Sequence, residues 1–195
     1  VATLNLKGLR EIAKRETITK YMEDKDIHIM AIQETHIPNS SKEIRQRYTF
    51  EFSSASANNR EFHGVGFVYS NQLAPHRVRT IQWSSTLAEI EFRMAGGNLT
   101  ILTAYIPHEQ TNQQEDRSKA WSELDERLAQ IPPFKNVVVL GDFNAALHAR
   151  KQEEHEVMGP FPSGKGAQFL EAKEARQAAH FSSNREELVQ KPYSS

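Results

Sequence analysis

The chain has 195 residues, 24 Lys and Arg against 25 Asp and Glu, a formal net charge of -1 and no cysteine. That length suits one domain with a sizeable core. The charge balance excludes a polybasic, histone-like protein, though not a local basic face for nucleic acid, and the lack of cysteine excludes disulfides, thiolate metal sites and a Cys nucleophile.

No apolar run reaches membrane-spanning length and no signal-peptide pattern opens the sequence, so an intracellular protein without a membrane partner is expected. On that reading the sequons at Asn39 and Asn98 arise by chance. Residue 1 is Val and "VATLNL" already reads as a strand, which suggests a segment of something longer.

In chain order, β-branched and apolar runs predict strands near Ala2–Leu6, Ile27–Gln33, Tyr48–Ser53, Gly64–Tyr69, Arg77–Trp83, Leu87–Met94, Leu99–Ala104 and Asn136–Leu140. In Leu87–Met94, Ala88, Ile90, Phe92 and Met94 share one face, with Glu89, Glu91 and Arg93 expected outward. "GG" at 96–97 predicts a hairpin turn. A helix over roughly Arg10–Glu23 should turn Ile18, Tyr21 and Met22 inward. A second carries Trp121, Leu124, Leu128 and Ile131 at helical spacing until Pro132-Pro133 stop it. A third, near Ala167–Ala179, is alanine-rich. Many short strands with a few helices predict two packed sheets with helices outside, in a single domain over 1–195.

Several strands end in polar residues. Val137–Leu140 reads as a strand buried on both faces that runs into Gly-Asp-Phe-Asn. Alternation puts Asp142 and Asn144 on one side and Phe143 on the other. At a strand's carboxyl end the first two can face a cleft, as a base beside an oxyanion donor. The plainer alternative is an Asx turn. "IHIMAIQETH" ends in Glu34, a candidate Mg²⁺ ligand or a solvated loop residue. Tyr105 closes "LTILTAY" before Pro107 and could reach a phosphate or simply pack. Asn5, a lone amide inside "ATLNLKG", needs a partner, either Glu34 or backbone.

In this order and rough spacing, "TLNLKGL", "AIQETH", "GVGFVYS", "TAYIPH" and "VVLGDFNA" resemble the endonuclease/exonuclease/phosphatase superfamily, which includes deoxyribonuclease I and the abasic-site endonucleases. The sequence looks most like the endonuclease domain of non-LTR, LINE-type retrotransposons, where "QETH" and "GDFNA" occur. The resemblance covers residues 2 to about 147 and extends loosely through "NREELV".

It implies a four-layer α/β-sandwich, two mixed sheets face to face with helices outside, and Mg²⁺- or Mn²⁺-dependent nicking of duplex DNA that leaves a 3′ hydroxyl. It implies Glu34 as metal ligand with Asn5 supporting the metal site, Tyr105 on the scissile phosphate, Asp142 orienting or activating water, and Asn144 on a phosphate oxygen. The expected neighbour is a reverse transcriptase domain in the same parent polyprotein, and the expected location is the nucleus. Alternatives are a phosphoesterase of the same superfamily acting on a lipid or inositol phosphate, or a non-catalytic remnant. The family ends in a strand carrying Ser-Asp-His. No Asp follows Asp142 here, and the later histidines, His148, His155 and His180, end no apolar strand. A C-terminally truncated domain lacking its last strands, impaired in catalysis, is therefore expected.

Other motifs are weaker. "GPFPSGKG" (159–166) imitates a phosphate loop, but two prolines remove donors and no strand precedes it. His36 is expected to be a solvated loop residue. Arg77 and Arg79, like Arg45 and Arg47, could line a DNA groove or guard a solvated strand edge, and the edge reading is preferred. "EARQAAHF" reads as a surface helix.

Overall fold

Two βαβ units, one in each sheet, organise the molecule. The computed structural model describes residues 1–54, 63–108 and 114–145. In the first sheet β1 (Ala2–Asn5) crosses over through α1 (Ile12–Asp24) to β2 (Ile29–Gln33), which lies parallel to it. β3 (Ser41–Ile44), β4 (Tyr48–Ser53) and β5 (Val65–Ser70) complete this sheet by antiparallel pairing, in the order β1-β2-β5-β4-β3. In the second sheet β6 (Arg77–Gln82), β7 (Leu87–Met94) and β8 (Gly97–Tyr105) pair antiparallel, and α2 (Gln114–Gln130) carries the chain back to β9 (Asn136–Asp142), parallel to β8. A parallel pair needs such a crossover, and a helix supplies it in both sheets.

Three apolar layers hold four layers of structure. Ile18 and Met22 of α1 pack with Met30, Ile32, Phe50 and Phe52 on the outer face of the first sheet. Ile29, Ala31, Val65, Phe67 and Tyr69 meet Ala88, Ile90, Phe92 and Ile101 between the sheets. Leu124 and Trp121 of α2 cover Leu87, Leu102 and Ala104 on the outer face of the second sheet. This is the α/β-sandwich expected from the sequence. By backbone contacts the chain divides into Val1–Asn144 and Ala145–Ser195, the latter beyond the described residues apart from Ala145.

Five expectations need correction. β3 was not anticipated; its exposed, polar residues at a sheet edge leave no apolar pattern. Tyr21 is 50% exposed rather than inward. Met94, at the hairpin end, is 41% exposed rather than aligned with the buried face. Glu89 and Glu91 are buried, because Arg127 of α2, Arg79 of β6 and Lys135 cover the face that alternation assigned to solvent.

Finally, Val137–Leu140 is half-buried, and among the described residues β9 is a sheet edge. Its run is apolar throughout because Val137 and Val139 serve the α2 layer while Leu140 serves the layer between the sheets. The alanine-rich helix, "GPFPSGKG", His148, His155 and His180 lie outside the described residues.

Candidate active site

The two parallel pairs point their carboxyl ends to the same side. Asn5 is the last residue of β1 and is registered with Gln33, so Glu34, the next residue, emerges beside it. Tyr105 and Asp142, the last residues of β8 and β9, are registered with each other. β9 approaches β8 closely here: a Cβ on Gly141 would lie 2.1 Å from the Ala104 carbonyl oxygen. Only glycine fits before Asp142, which explains the first letter of "GDFNA".

One side-chain amide joins the two sheets. Asn5 Nδ2 donates to Glu34 Oε1 at 2.7 Å and to Asp142 Oδ2 at 2.8 Å. Asn5 Oδ1 accepts the Lys7 N–H at 3.1 Å, which fixes the amide's orientation. Asn144 N–H donates to Asp142 Oδ1 at 3.1 Å, and Asn144 Nδ2 donates to the Ile106 carbonyl at 2.9 Å. Asp142 therefore forms the Asx turn and faces Glu34 at once; the two readings of "GDFN" coexist. Phe143 points away and stacks on Trp121, ring centroids 5.8 Å apart.

Backbone strain gathers around these groups. Among the described residues five non-glycine residues have positive φ, and four of them, Lys7 (50°), Glu34 (50°), His36 (54°) and Asn144 (42°), belong to the strand-end loops. Such conformations persist only where the surroundings over-determine them, and they concentrate at functional sites. Here the ladder of β1 and β2 continues into the loops, with Gly8 N–H on the Glu34 carbonyl at 2.7 Å and Leu9 N–H on the Thr35 carbonyl at 2.8 Å.

The Tyr105 hydroxyl is held well above the usual phenol range. Burial contributes most, followed by the charge of Glu34, its hydrogen bond with Glu34 and the charge of Asp142. The phenol stays protonated, with its one hydrogen directed at the Glu34 carboxylate.

Other neighbours carry no sequence signal of their own. His63 is buried, with its ring 5.4 Å from that of Tyr105. His36, expected in solvent, keeps only 18% of its side chain exposed and places Nε2 3.9 Å from Glu34 Oε2. Gln33 donates to Thr103 at 2.9 Å and accepts from Thr3, a buried polar link beneath the site. Arg117 of α2 donates to the Pro107 carbonyl at 2.7 Å and to the Asn144 carbonyl at 3.4 Å.

Beside Asn5, Lys7, Arg10, Lys14 and His36, with Glu11, line a pocket of about 250 Å³. The arginines considered for a DNA groove are otherwise engaged: Arg77 pairs with Glu51, Arg79 with Glu89 and Glu91, Arg45 with Glu43 and Arg47 with Glu23.

Among the described residues no three His, Cys, Asp or Glu side chains group to hold a metal ion. A hard cation such as Mg²⁺ asks for less, one or two carboxylates with the rest water. Glu34 and Asp142, two carboxylates gathered on one neutral amide, fit that donor set.

No curated protein matches the chain. Among solved structures it is similar to the AP endonuclease LMAP from Leishmania major, with 14% identity over 74% of this chain and 54% of that one, and a TM-score of 0.58. It is similar to a humanized D. rerio TDP2, with 14% identity, 83% and 67% coverage and a TM-score of 0.50. It is also similar to the endonuclease domain of TRAS1, a telomere-specific non-LTR retrotransposon, with 12% identity, 87% and 66% coverage and a TM-score of 0.49. At these identities the likeness is one of fold, and the chain spans about half the length of the Leishmania structure. Residues 2–154 match the sequence profile of the Endonuclease/Exonuclease/phosphatase family, and the chain belongs to that family.

Proposed function

We propose that the chain is a divalent-metal-dependent DNA phosphodiesterase, a nicking endonuclease of a non-LTR retrotransposon. The observation that carries this reading is the single Asn5 amide shared by Glu34 and Asp142 from opposite sheets. It gathers two negative charges around a neutral donor, an arrangement with charge left over for a cation and a proton.

Glu34 would hold Mg²⁺ or Mn²⁺ together with water, with Asn5 supporting the site. Such an ion supplies Lewis-acid charge at the phosphate and its leaving oxygen. Asp142, its two oxygens fixed by Asn5 and by the Asn144 N–H, takes a proton from the attacking water. The water oxygen bonds to phosphorus, the bond from phosphorus to the 3′ oxygen breaks, and a solvent water protonates that oxygen so that it leaves as a hydroxyl, the proton held by Asp142 returning to solvent.

The Asn144 amide has two donor hydrogens. One is spent on the Ile106 carbonyl, and the other serves a non-bridging phosphate oxygen, as does the Tyr105 hydroxyl. The Tyr105 hydroxyl, whose one hydrogen goes to Glu34 here, would turn it to the phosphate when a cation occupies Glu34.

DNA is favoured as substrate by the basic pocket of Lys7, Arg10, Lys14 and His36 beside the site, which suits a phosphodiester backbone. The Leishmania structure of similar fold is an AP endonuclease. The motifs "QETH" and "GDFNA" favour the retrotransposon assignment, with a reverse transcriptase in the parent polyprotein and action in the nucleus.

Incubation with supercoiled plasmid tests the reading. In a domain that carries the family's Ser-Asp-His strand, nicked circles should form with Mg²⁺, disappear with chelator and disappear in Asp142→Ala and Glu34→Gln; residues 1–195 alone should nick slowly. Phosphate release from an inositol phosphate or phospholipid without nicking would transfer the site to the lipid-directed alternative. Inactivity on all of these would leave a non-catalytic member of the family.

A further inference from the structure

We propose that Arg117 is a positioning residue that sets the Asp142–Asn144 turn, and with it the aim of the Asp142 carboxylate. The inference rests on the nuclease reading for what the aim accomplishes, but the clamp itself is a matter of geometry.

Arg117 lies near the start of α2, where the helix dipole favours acids; Glu115 and Asp116 in the first turn suit that end and a guanidinium opposes it. Helix stability therefore does not account for the arginine. Its reach does. Nη1 donates to the Pro107 carbonyl at 2.7 Å and to the Asn144 carbonyl at 3.4 Å, so one group grips the chain just after β8 and just after β9.

The two segments are joined twice more: Ile106 N–H donates to the Asp142 carbonyl at 2.9 Å, and Asn144 Nδ2 donates to the Ile106 carbonyl at 2.9 Å. Arg117 closes this ring from the helix side. One turn later on the same helix face, Trp121 stacks on Phe143. α2 thus holds Phe143 by its ring and Asn144 by its carbonyl.

Asn144 is left-handed, with φ 42°, a conformation that needs outside support. Its N–H is the group that fixes Asp142 Oδ1. Rotation of the residue would therefore release the carboxylate and redirect the amide's second donor hydrogen together. A charged N–H on that backbone carbonyl resists the rotation better than a neutral donor would.

Two measurements on the full chain test this. Backbone hydrogen exchange reads the clamp without any activity. In Arg117→Met the amides of Asn144 and Ile106 should exchange about 10-fold faster or more, while those of Phe67 and Ile101 in the core keep their rates. Arg117→Lys, which keeps one charged donor, should fall between. Should Arg117→Met lose its core protection, the Lys variant carries the comparison.

Plasmid nicking reads the consequence: kcat should drop on the order of 10–100-fold with KM within a factor of about three, since displacement of a reacting group by an ångström is worth that much. Added guanidinium ion should restore part of kcat in Arg117→Ala.

Unchanged exchange at Asn144 in the folded variant would overturn the clamp. Raised exchange with unchanged kcat would overturn the positioning role, and a loss confined to KM would make Arg117 a DNA contact instead. If the parent chain nicks nothing, the functional reading fails, while the exchange arm still decides whether Arg117 holds the turn.

Discussion

The molecule treats its buried and half-buried carboxylates in two ways. Glu51, Glu89 and Glu91 stand in mid-strand and are neutralised: Arg77 and Lys42 face Glu51, Arg127 and Arg79 face Glu89, and Arg79 and Lys135 face Glu91. Glu34 and Asp142 stand at strand ends, share the neutral Asn5 and sit next to residues forced into positive φ. In the first group every charge is consumed by the fold. In the second the fold is strained to gather charge and leave it available. Burial alone therefore does not mark a functional acid here; the identity of the partner does.

The largest effect expected lies in the neutralised group. Glu89 is fully buried, and its Oε2 takes the Arg127 guanidinium at 2.6 Å, which also ties α2 to β7. Removing one partner of such a pair costs about 3–5 kcal/mol, because the other charge is left buried and uncompensated. Glu89→Ala should lower unfolding free energy by that amount in denaturant titration, with nicking per folded molecule unchanged. A loss of nicking at full stability would erase the distinction between the two groups.

The strand-end group should respond in the opposite sense. In a domain completed with the family's Ser-Asp-His strand, Asn144→Ala should lower turnover by on the order of 10²–10³, the usual loss for one oxyanion donor, and Asp142→Ala by at least as much. The melting temperature of Asp142→Ala should change little, since among the described residues the carboxylate forms no ion pair that the substitution would strand. Parental nicking by a folded Asn144→Ala variant would remove "GDFNA" from the chemistry.

This division was partly legible in the sequence. Asn5, Glu34, Tyr105 and Asp142 could be placed together because each closes a strand, and two parallel pairs bring those ends to one side. The strands Tyr48–Ser53 and Leu87–Met94 were legible to the residue, since aromatic and β-branched runs fix their length. Glu89 and Glu91 were not, because alternation tells which face a residue takes but not what covers that face. His63 and Arg117 stayed hidden for another reason: His63 meets a ring distant in sequence, and Arg117 binds backbone carbonyls, which leave no residue-type signature.

Acid sharpens the comparison at smaller scale. Burial pushes the Glu51 carboxyl up, but hydrogen bonds from Thr80, Tyr69 and Arg77 more than offset it and hold it below the usual value of 4.5. Glu91 is likewise pushed up by burial and held below 4.5 by Asn98, Lys135 and Arg79. The folded state then binds fewer protons than the unfolded one, so this stability is complete above about pH 4.5 and is lost as pH falls through the lowered folded values. Melting temperature against pH should be flat above that point and fall below it. Glu51→Gln should flatten the fall.

The smallest effect expected supplies the control. Arg47 and Glu23 form an ion pair of 3.2 Å between α1 and the turn before β4, but their side chains are 69% and 36% exposed. Water screens such a pair and ordering two long side chains offsets its attraction, so it is worth at most about 1 kcal/mol. A second contact of Arg47 with the adjoining chain uses its backbone: the carbonyl accepts the Asn71 N–H at 2.8 Å and survives substitution. Arg47→Gln should therefore leave stability within about 1 kcal/mol of the parent at low salt and closer still at high salt, where screening has already removed the attraction. A loss comparable with that of Glu89→Ala would mean that exposure, like burial, fails to sort the charges of this protein, and that the pairing of carboxylate with cation is the sole determinant.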